Sequence, residues 1–290
     1  MFFSGVSVMT RSAFFPILLC ALMTAAFSPG AVEDDSFTPE GATKIDVTVG
    51  GAVGFLFKPT VGSAKGQPWL WYAPTRLDLP PNNQYPNAST HWLFTRLLSR
   101  GVWIAGVDVG ESYGGPAGRS TYSEFYKTVT SRFHLSHQPC FLAQSRGGLM
   151  DFNWAAEHHR DVRCIAAIYP VLNLASWPSE DSPEFKQAAT AYGYTSVTEY
   201  QKQLNQLSPI SNADSLAKAK IPIFIIHGDS DQRVPVQENS RPFVAAYTAL
   251  GGAVELVVVP GKGHEEVDEY FKSERLLDFL SKHLVKPPAP

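Results

Sequence analysis

Three residues that lie far apart in the sequence could together carry out nucleophilic catalysis. Ser145 follows a short apolar run and precedes two nearby glycines, Asp231 follows a second apolar run in the pattern G-x-x-D-x-x-V-P, and His264 ends the segment G-K-G-H after a third. A serine hydroxyl is a poor nucleophile at neutral pH, so it needs a base within hydrogen-bond reach and a group that orients the base. These residue types predict acyl transfer with Ser145 as nucleophile, His264 as base and Asp231 as orienting acid.

The segment around Ser145 has the features of a nucleophile elbow. The apolar strand pattern F-L-A-Q turns at the serine into a helical pattern that begins R-G-G-L. Such a turn strains the backbone and makes the hydroxyl project from the top of a sheet. The usual pattern is G-x-S-x-G, and here Ala143 stands at the first glycine position, which adds only one methyl group.

The chain order serine, aspartate, histidine is that of the α/β-hydrolase triad. From about residue 40 onward, the chain resembles the α/β-hydrolase superfamily in these three ordered motifs. The resemblance implies a mostly parallel central sheet with helices on both faces and a small helical cap inserted over the site. For the acid, Asp229 is the alternative, and the motif spacing favours Asp231.

An oxyanion formed at Ser145 requires preorganised hydrogen-bond donors. We expect the backbone N–H of Arg146 to be one of them. The second is expected in the loop after the apolar run W-L-W-Y, where Ala73 or Thr75 must donate because the proline between them has no N–H. The Arg146 side chain could meet the oxyanion, bind a substrate carboxylate in a bidentate fork or face solvent, and we favour a side chain that points into the pocket.

Strand and helix patterns alternate along most of the chain. Apolar runs bounded by turn residues predict strands at 44–49, 52–58, 69–72, 102–109, 139–144, 162–169, from 221 onward, and at 253–259. Helical periodicity and capping residues predict helices at 90–100, 120–133, 146–159, 236–250 and 265–284. This alternation predicts an α/β fold with a mostly parallel sheet and helices on both faces.

One segment, 171–220, interrupts the alternation and is longer than an ordinary crossover. It contains helical patterns near 183–192 and 197–207. By the resemblance, this segment is the cap over the site, and the alternative is a surface excursion that does not touch substrate. We expect Trp177 in the cap and Tyr113 after a predicted strand to contact substrate.

The N-terminus differs in composition from the rest of the chain. Arg11 precedes an apolar run, 13–27, that ends among small residues. This pattern predicts a secretory signal peptide at residues 1–30, with cleavage near 26–31 and a mature hydrolase domain at 31–290. The run is short for a membrane span, so we expect a secreted or periplasmic protein with no stable membrane insertion. An uncleaved signal anchor is the alternative.

Two cysteines remain after removal of the predicted signal. Cys140 and Cys164 both lie near the starts of predicted neighbouring strands. The geometry of a disulfide between adjacent strands is demanding, so we favour two buried thiols over a strained bridge.

The overall composition excludes several kinds of partner. The chain has 24 basic and 27 acidic residues without a block of like charge, which argues against a nucleic-acid partner. No cluster of histidine, cysteine and aspartate has metal-ligand spacing, and no phosphate-binding loop or dinucleotide fingerprint occurs. We therefore expect no cofactor and no metal.

Together these features predict an exported serine hydrolase that acts through an acyl-enzyme, with a small-molecule or carbohydrate ester as substrate. The first alternative is a serine peptidase similar to the catalytic domain of prolyl oligopeptidases, which usually carry a second large domain for which 290 residues leave no room. The second alternative is a binding protein that has kept the fold and lost activity. Retention of all three candidate triad residues argues against it.

Overall fold

The computed structural model describes residues 37–80 and 83–285. The predicted signal peptide and its cleavage region lie outside the described residues. The strands of the described part are Ala42–Val49 (β1), Ala52–Pro59 (β2), Trp69–Ala73 (β3), Trp103–Val107 (β4), Cys140–Gln144 (β5), Cys164–Ile168 (β6), Ile223–Gly228 (β7) and Val254–Val259 (β8). They form one sheet in the order β1-β2-β4-β3-β5-β6-β7-β8.

The sheet is mostly parallel, as the sequence predicts. β1 and β2 form an antiparallel hairpin that turns at Gly50 and Gly51, both with positive φ, and β2 is also antiparallel to β4. All other neighbours run parallel. The central strands β3 to β7 are buried along their whole length. Their continuous apolar sequences fit this burial, because a parallel sheet is covered by helices on both faces.

The helices are His91–Leu98 (α1), Pro116–Arg132 (α2), Gly147–Glu157 (α3), Pro183–Ala191 (α4), Val197–Gln201 (α5), Leu204–Leu207 (α6), Ala213–Lys218 (α7), Ser240–Ala249 (α8), Asp268–Phe271 (α9) and Glu274–Leu284 (α10). Helices α2, α3, α7 and α8 pack into one apolar core on the sheet. Helices α1, α9 and α10 contribute to a second core. The sheet thus carries helices on both faces, as predicted.

Several helix boundaries differ from those predicted. α2 begins four residues earlier than the predicted 120, at Pro116, because proline suits the first helical turn, where an N–H has no partner. α8 begins at Ser240, four residues later than the predicted 236. Asn239, just before it, has non-helical backbone angles, and its side chain accepts the backbone N–H groups of Leu172 and Asn173. The predicted helix 265–284 is two helices, and the Ser273 side chain caps the second by accepting the Leu276 N–H.

The segment predicted as a cap carries α4 to α7. Its aromatic side chains build a small core of their own, in which Tyr200 and Tyr192 pack with Leu149 of α3. Tyr194 packs against the same cluster. Apolar side chains in this segment therefore have a structural role first, because short helices need a common buried cluster to be stable.

The two cysteines are joined. Cys140 and Cys164 face each other as paired residues at the starts of β5 and β6, and a disulfide links them. Our preference for two free thiols is wrong. The in-register pairing places the two Cα atoms 4.6 Å apart, within the range that a disulfide requires.

The candidate catalytic residues follow the carboxyl ends of parallel strands. Ser145 comes directly after β5, Asp231 follows β7 and His264 follows β8. Parallel strands end at the same edge of a sheet, which is where open α/β sheets bind ligands. The topology therefore brings together three loops that are up to 119 residues apart in sequence.

Candidate active site

Ser145 occupies a tight turn between β5 and α3. Its φ is 51°, in the left-handed region that non-glycine residues rarely adopt, and its backbone N–H donates to the Ile168 carbonyl at 3.0 Å. A Cβ on Gly147 would lie 2.2 Å from the Ala73 carbonyl oxygen, and one on Gly148 would lie 2.5 Å from the Val171 carbonyl oxygen. The two glycines are therefore required because strand and helix backbones approach closely at the turn, as in a nucleophile elbow.

The three residues predicted as a triad are in hydrogen-bond contact. The Ser145 hydroxyl donates to His264 Nε2 at 2.8 Å. The other ring nitrogen, Nδ1, donates to Asp231 Oδ2 at 2.7 Å. In this arrangement the imidazole can accept the serine proton while the carboxylate fixes the tautomer and stabilises the imidazolium that forms.

Asp231 is held as a carboxylate by several donors. It is 4% exposed, and its Oδ1 accepts the backbone N–H groups of Arg233 at 2.9 Å and Val234 at 2.8 Å. Burial by itself would raise the pKa of the Asp231 carboxyl, but hydrogen bonds from His227, His264 and the Val234 N–H outweigh it and hold that pKa well below its ordinary value. The group that orients the base therefore stays ionised.

The alternative acid, Asp229, has a different environment. Its side chain is exposed. Its Oδ1 accepts the Gly261 backbone N–H at 2.7 Å and the Ser230 hydroxyl at 2.9 Å. Asp229 thus ties the loop after β7 to the loop that carries His264, while Asp231 contacts the imidazole.

The predicted oxyanion donors lie in different settings. Arg146 immediately precedes α3, so its N–H belongs to the helix start, where no intrahelical acceptor exists. Ala73 is fully buried and pairs with Ala143 in the sheet. Thr75 is 2% exposed and donates its hydroxyl to the Tyr72 carbonyl. Neither Ala73 nor Thr75 lines a cavity next to Ser145, so their assignment as second donor stays a prediction.

The Arg146 side chain points toward the site rather than into solvent. Its Nη1 donates to Glu111 Oε1, which also accepts from Arg76 Nη1. Its guanidinium lies 5.3 Å from the ring centroid of Trp177, within cation–π distance. The Glu111 carboxylate and the indole face of Trp177 therefore hold the Arg146 guanidinium in place beside Ser145.

Two cavities flank Ser145. The first has a volume of about 230 Å³ and contains His264, Tyr85 and Tyr169 among its lining residues. The second has a volume of about 590 Å³, and Tyr113 and Trp177 are among its lining residues, several of which belong to the segment predicted as a cap. The lining residues shared by both are Ser145, Arg146 and Arg233.

Tyr113 and Trp177, predicted to contact substrate, both line the larger cavity, and their contact with substrate stays a prediction. Their ring centroids are 5.7 Å apart in the wall of the larger cavity. The Tyr113 hydroxyl donates to Gln187 Oε1 of α4 at 3.0 Å. Burial is the main cause that raises the pKa of Tyr113, to about 12, so this hydroxyl keeps its proton at neutral pH.

A hydrogen-bond network that is buried except at its outer end connects the strand end before the nucleophile to the loop that carries the base. The Tyr72 hydroxyl donates to Gln144 Oε1 at 2.6 Å, and Gln144 Nε2 donates to Tyr169 at 2.9 Å and to Glu266 Oε1 at 3.1 Å. Gln144 immediately precedes Ser145, and Glu266 lies two residues after His264. The network therefore braces the two loops against each other.

Sequence reasoning missed Gln144, Glu266 and the buried His227 that contacts Asp231. Each lies within a few residues of a triad member, so proximity to the motifs was the available signal. Glu111 was also missed as the partner of Arg146, and so was Arg76, which donates to the same carboxylate; Glu111 lies 35 residues from each of the two arginines in the sequence.

Other kinds of site are not found in the part of the chain that the structure describes. Across residues 37–80 and 83–285, no group of three histidine, cysteine, aspartate or glutamate side chains could hold a metal ion. Over the same residues, no helix has the length and apolar character needed to cross a membrane.

Comparison with known proteins supports the assignment of fold and family. The family model described as the prolyl oligopeptidase family, peptidase S9, matches residues 129–286, which is more than half of the chain and includes all three triad residues. No curated protein sequence matches this chain.

Similar solved structures include a puromycin-hydrolysing peptidase of Mycobacterium tuberculosis, with 14% identity and a TM-score of 0.64 over 86% of this chain and 41% of that one. Another is the acylaminoacyl peptidase of Pyrococcus horikoshii, with 14% identity and a TM-score of 0.64 over 86% of this chain and 42% of that one. A third is dipeptidyl peptidase 4 of Porphyromonas gingivalis, with 16% identity and a TM-score of 0.62 over 84% of this chain and 35% of that one.

These likenesses show a shared fold. The chain spans about two fifths of the length of these structures or less. The family match, the parallel sheet and the elbow at Ser145 lead to one conclusion: the chain belongs to the prolyl oligopeptidase family of serine hydrolases and has the α/β-hydrolase fold.

Proposed function

We propose that this protein is a serine peptidase that cleaves amide bonds of short peptides or acylated amino acids through an acyl-enzyme. The observation that carries the proposal is the hydrogen-bonded chain from Ser145 through His264 to Asp231, with distances of 2.8 and 2.7 Å. Membership of the prolyl oligopeptidase family favours an amide over an ester as the bond that is cleaved. The non-catalytic alternative is disfavoured, since a binding protein has no need of an aligned triad.

The proposed reaction has two halves. In acylation, Ser145 Oγ attacks the carbonyl carbon while His264 Nε2 takes the hydroxyl proton, and the oxyanion meets the Arg146 N–H. The carbon–nitrogen bond then breaks, and His264 gives that proton to the leaving amine. In deacylation, water attacks the acyl-enzyme with His264 as base, and the proton returns to Ser145 as the carboxylic acid departs.

We infer from the two cavities where the two parts of the substrate bind. The leaving group must reach His264 to be protonated, and His264 lines the 230 Å³ cavity. The acyl part then occupies the 590 Å³ cavity under the cap, which is in the range of ordinary ligand pockets of about 300–1,000 Å³. We infer that Tyr113 and Trp177 contact the acyl part.

The ester hydrolase predicted from sequence is the competing hypothesis, because the same triad cleaves esters. Ester turnover alone would not separate the two, since an activated ester has a better leaving group than an amide. A decisive test compares p-nitroanilides and p-nitrophenyl esters that carry the same acyl groups, from single residues to dipeptides, with Ser145→Ala as control. Turnover of anilides that is lost in the control supports a peptidase. Turnover of esters without any anilide contradicts it.

Export is part of the proposal. The N-terminal composition supports a secretory signal, and the Cys140–Cys164 disulfide suits an oxidising compartment. The proposed partner is a small-molecule substrate, with no nucleic acid and no stable membrane insertion. Sequencing the N-terminus of protein recovered outside the cytoplasm tests this localisation.

A further inference from the structure

A second imidazole lies behind the acid of the triad. His227 belongs to β7, four residues before Asp231, and its side chain is completely buried. Its Nε2 lies 2.8 Å from the Val234 carbonyl oxygen and 3.2 Å from Asp231 Oδ2. Its Nδ1 lies 2.7 Å from the Ser240 hydroxyl.

The partners of His227 fix its tautomer. A carbonyl oxygen only accepts, so Nε2 must carry the proton that is donated to Val234 and shared with Asp231. In the neutral ring, Nδ1 then accepts from the Ser240 hydroxyl, which can turn to donate. The ring therefore presents an N–H to the carboxylate of Asp231, and it does so from a site closed to solvent.

The oxygen that His227 contacts is the one that His264 also uses. Asp231 Oδ2 accepts His264 Nδ1 at 2.7 Å and His227 Nε2 at 3.2 Å, while Oδ1 accepts two backbone N–H groups. With donors on both oxygens, the carboxylate plane has one orientation. The second donor on Oδ2 also draws part of its negative charge away from the imidazole of His264, because two N–H groups share one acceptor.

We propose that His227 is a positioning residue of the catalytic machinery, which orients Asp231 and limits how strongly that carboxylate stabilises protonated His264. The consequence is a base that stays deprotonated to lower pH than it would beside an unshared carboxylate. This inference rests on the proposed function of Ser145, His264 and Asp231 as a triad. It does not depend on whether the substrate is an amide or an ester.

Other groups also face the base and are left unchanged in the test. The titratable or charged side chains that pack on His264 or Asp231, or that line the same cavity, are Arg76, Tyr85, Arg146, Tyr169, Arg233, Glu265, Glu266 and Tyr270. Because these side chains stay in place, a change in the pH dependence of activity when His227 is substituted reports the loss of its hydrogen bond to Asp231 Oδ2.

The experiment measures the rate at which a serine-directed phosphonate inactivates the enzyme as a function of pH, with kcat/KM profiles on the best substrate beside it. His227→Leu removes the donor at similar size. His227→Gln keeps an N–H at the end of the side chain. Ser240→Ala removes the partner at Nδ1 and keeps the donor at Nε2, which makes it the matched packing control.

For His227→Leu we expect the acid limb of both profiles to move up by about 0.5–1 pH unit and kcat to fall roughly tenfold, with little change in KM. The acid limb should stay near its wild-type position in His227→Gln and Ser240→Ala. If His227→Leu does not fold, His227→Asn carries the test, because its amide is too short to reach Asp231.

The outcomes separate the possible failures. An unshifted acid limb in the variant without the donor, or an equal shift in Ser240→Ala, would overturn the role of His227. Wild-type protein that reacts with the phosphonate but hydrolyses no anilide would leave His227 testable while refuting the peptidase. Wild-type protein that does not react with the phosphonate would refute the triad, and with it the inference.

Discussion

Replacement of Asp231 by asparagine isolates the role of the carboxylate, because the two side chains have nearly the same shape. The hydrogen bonds that Asp231 now makes determine the orientation of the asparagine amide. At Oδ1, the backbone N–H groups of Arg233 and Val234 both donate, so the amide oxygen has to occupy that position. The amide NH₂ then replaces Oδ2, where it faces His264 Nδ1 at 2.7 Å and, at the longer distance of 3.2 Å, the Nε2–H of His227. Of these two donors only His264 can change its tautomer, because the Val234 carbonyl holds the proton of His227 on Nε2.

The forced orientation of the amide determines the size of the effect. An NH₂ donor at this position makes Nδ1 of His264 the acceptor and moves the ring proton to Nε2. A protonated Nε2 in the neutral ring cannot accept the Ser145 hydroxyl proton, so base catalysis stops. We expect kcat to fall on the order of 10⁴-fold, which corresponds to about 5.5 kcal/mol of transition-state stabilisation.

Asp229→Asn is the matched control for this experiment, two residues away on the same loop. Its side chain is exposed, and an amide oxygen can still accept the Gly261 N–H. We expect its activity to stay within about threefold of wild type, as is usual for surface substitutions. Steady-state kinetics on the best anilide at matched protein concentrations, with folding checked by circular dichroism, measures both variants. Equal losses in the two variants, or a larger loss at Asp229, would refute the assignment of the orienting acid.

Further predictions concern the nucleophile, its neighbours and export. Ser145→Ala should lower hydrolysis on the order of 10³-fold or more without unfolding the protein, and activity within about tenfold of wild type excludes it as nucleophile. Arg146→Ala should lower kcat/KM roughly 10- to 100-fold more for a substrate with a carboxylate near the scissile bond than for its neutral analogue, whereas equal losses would indicate that the side chain meets the oxyanion. Gly147→Ala should lower the free energy of unfolding by about 1–3 kcal/mol in urea denaturation, because its Cβ would lie 2.2 Å from a carbonyl oxygen. In the control Gly263→Ala, the nearest atom to the new Cβ is 3.7 Å away, so this variant should unfold like the wild type. The exported protein should begin near residues 26–31, and a chain that still begins at residue 1 contradicts the signal peptide.

The fold could be predicted to the level of its layers from local patterns. Continuous apolar runs such as that of β5 are buried on both faces, and the alternation with helices required a parallel sheet. Helix boundaries were less predictable, because tertiary partners override local preference. Asn239 is an example, since its backbone is non-helical just before α8 while its side chain accepts N–H groups from the segment after β6, a contact that exists only in the folded protein.

The disulfide illustrates a different limit. Cys140 and Cys164 are 24 residues apart, and the sequence places them at the starts of neighbouring strands. Whether they can bond depends on register, since a shift of one residue would turn one side chain to the other face of the sheet. Only the pairing of β5 with β6 in the folded protein fixes that register.

The sequence by itself determined the chemical identities and chain order of Ser145, Asp231 and His264, because the turn motifs that surround them are local and need few neighbours to be recognised. The tertiary structure decided which side chains surround the triad. Arg146 is oriented by Glu111, and Asp231 shares an oxygen with His227. These contacts depend on side-chain rotamers and on loops that meet only when the parallel strands align at one edge of the sheet. Local sequence patterns therefore do not predict them.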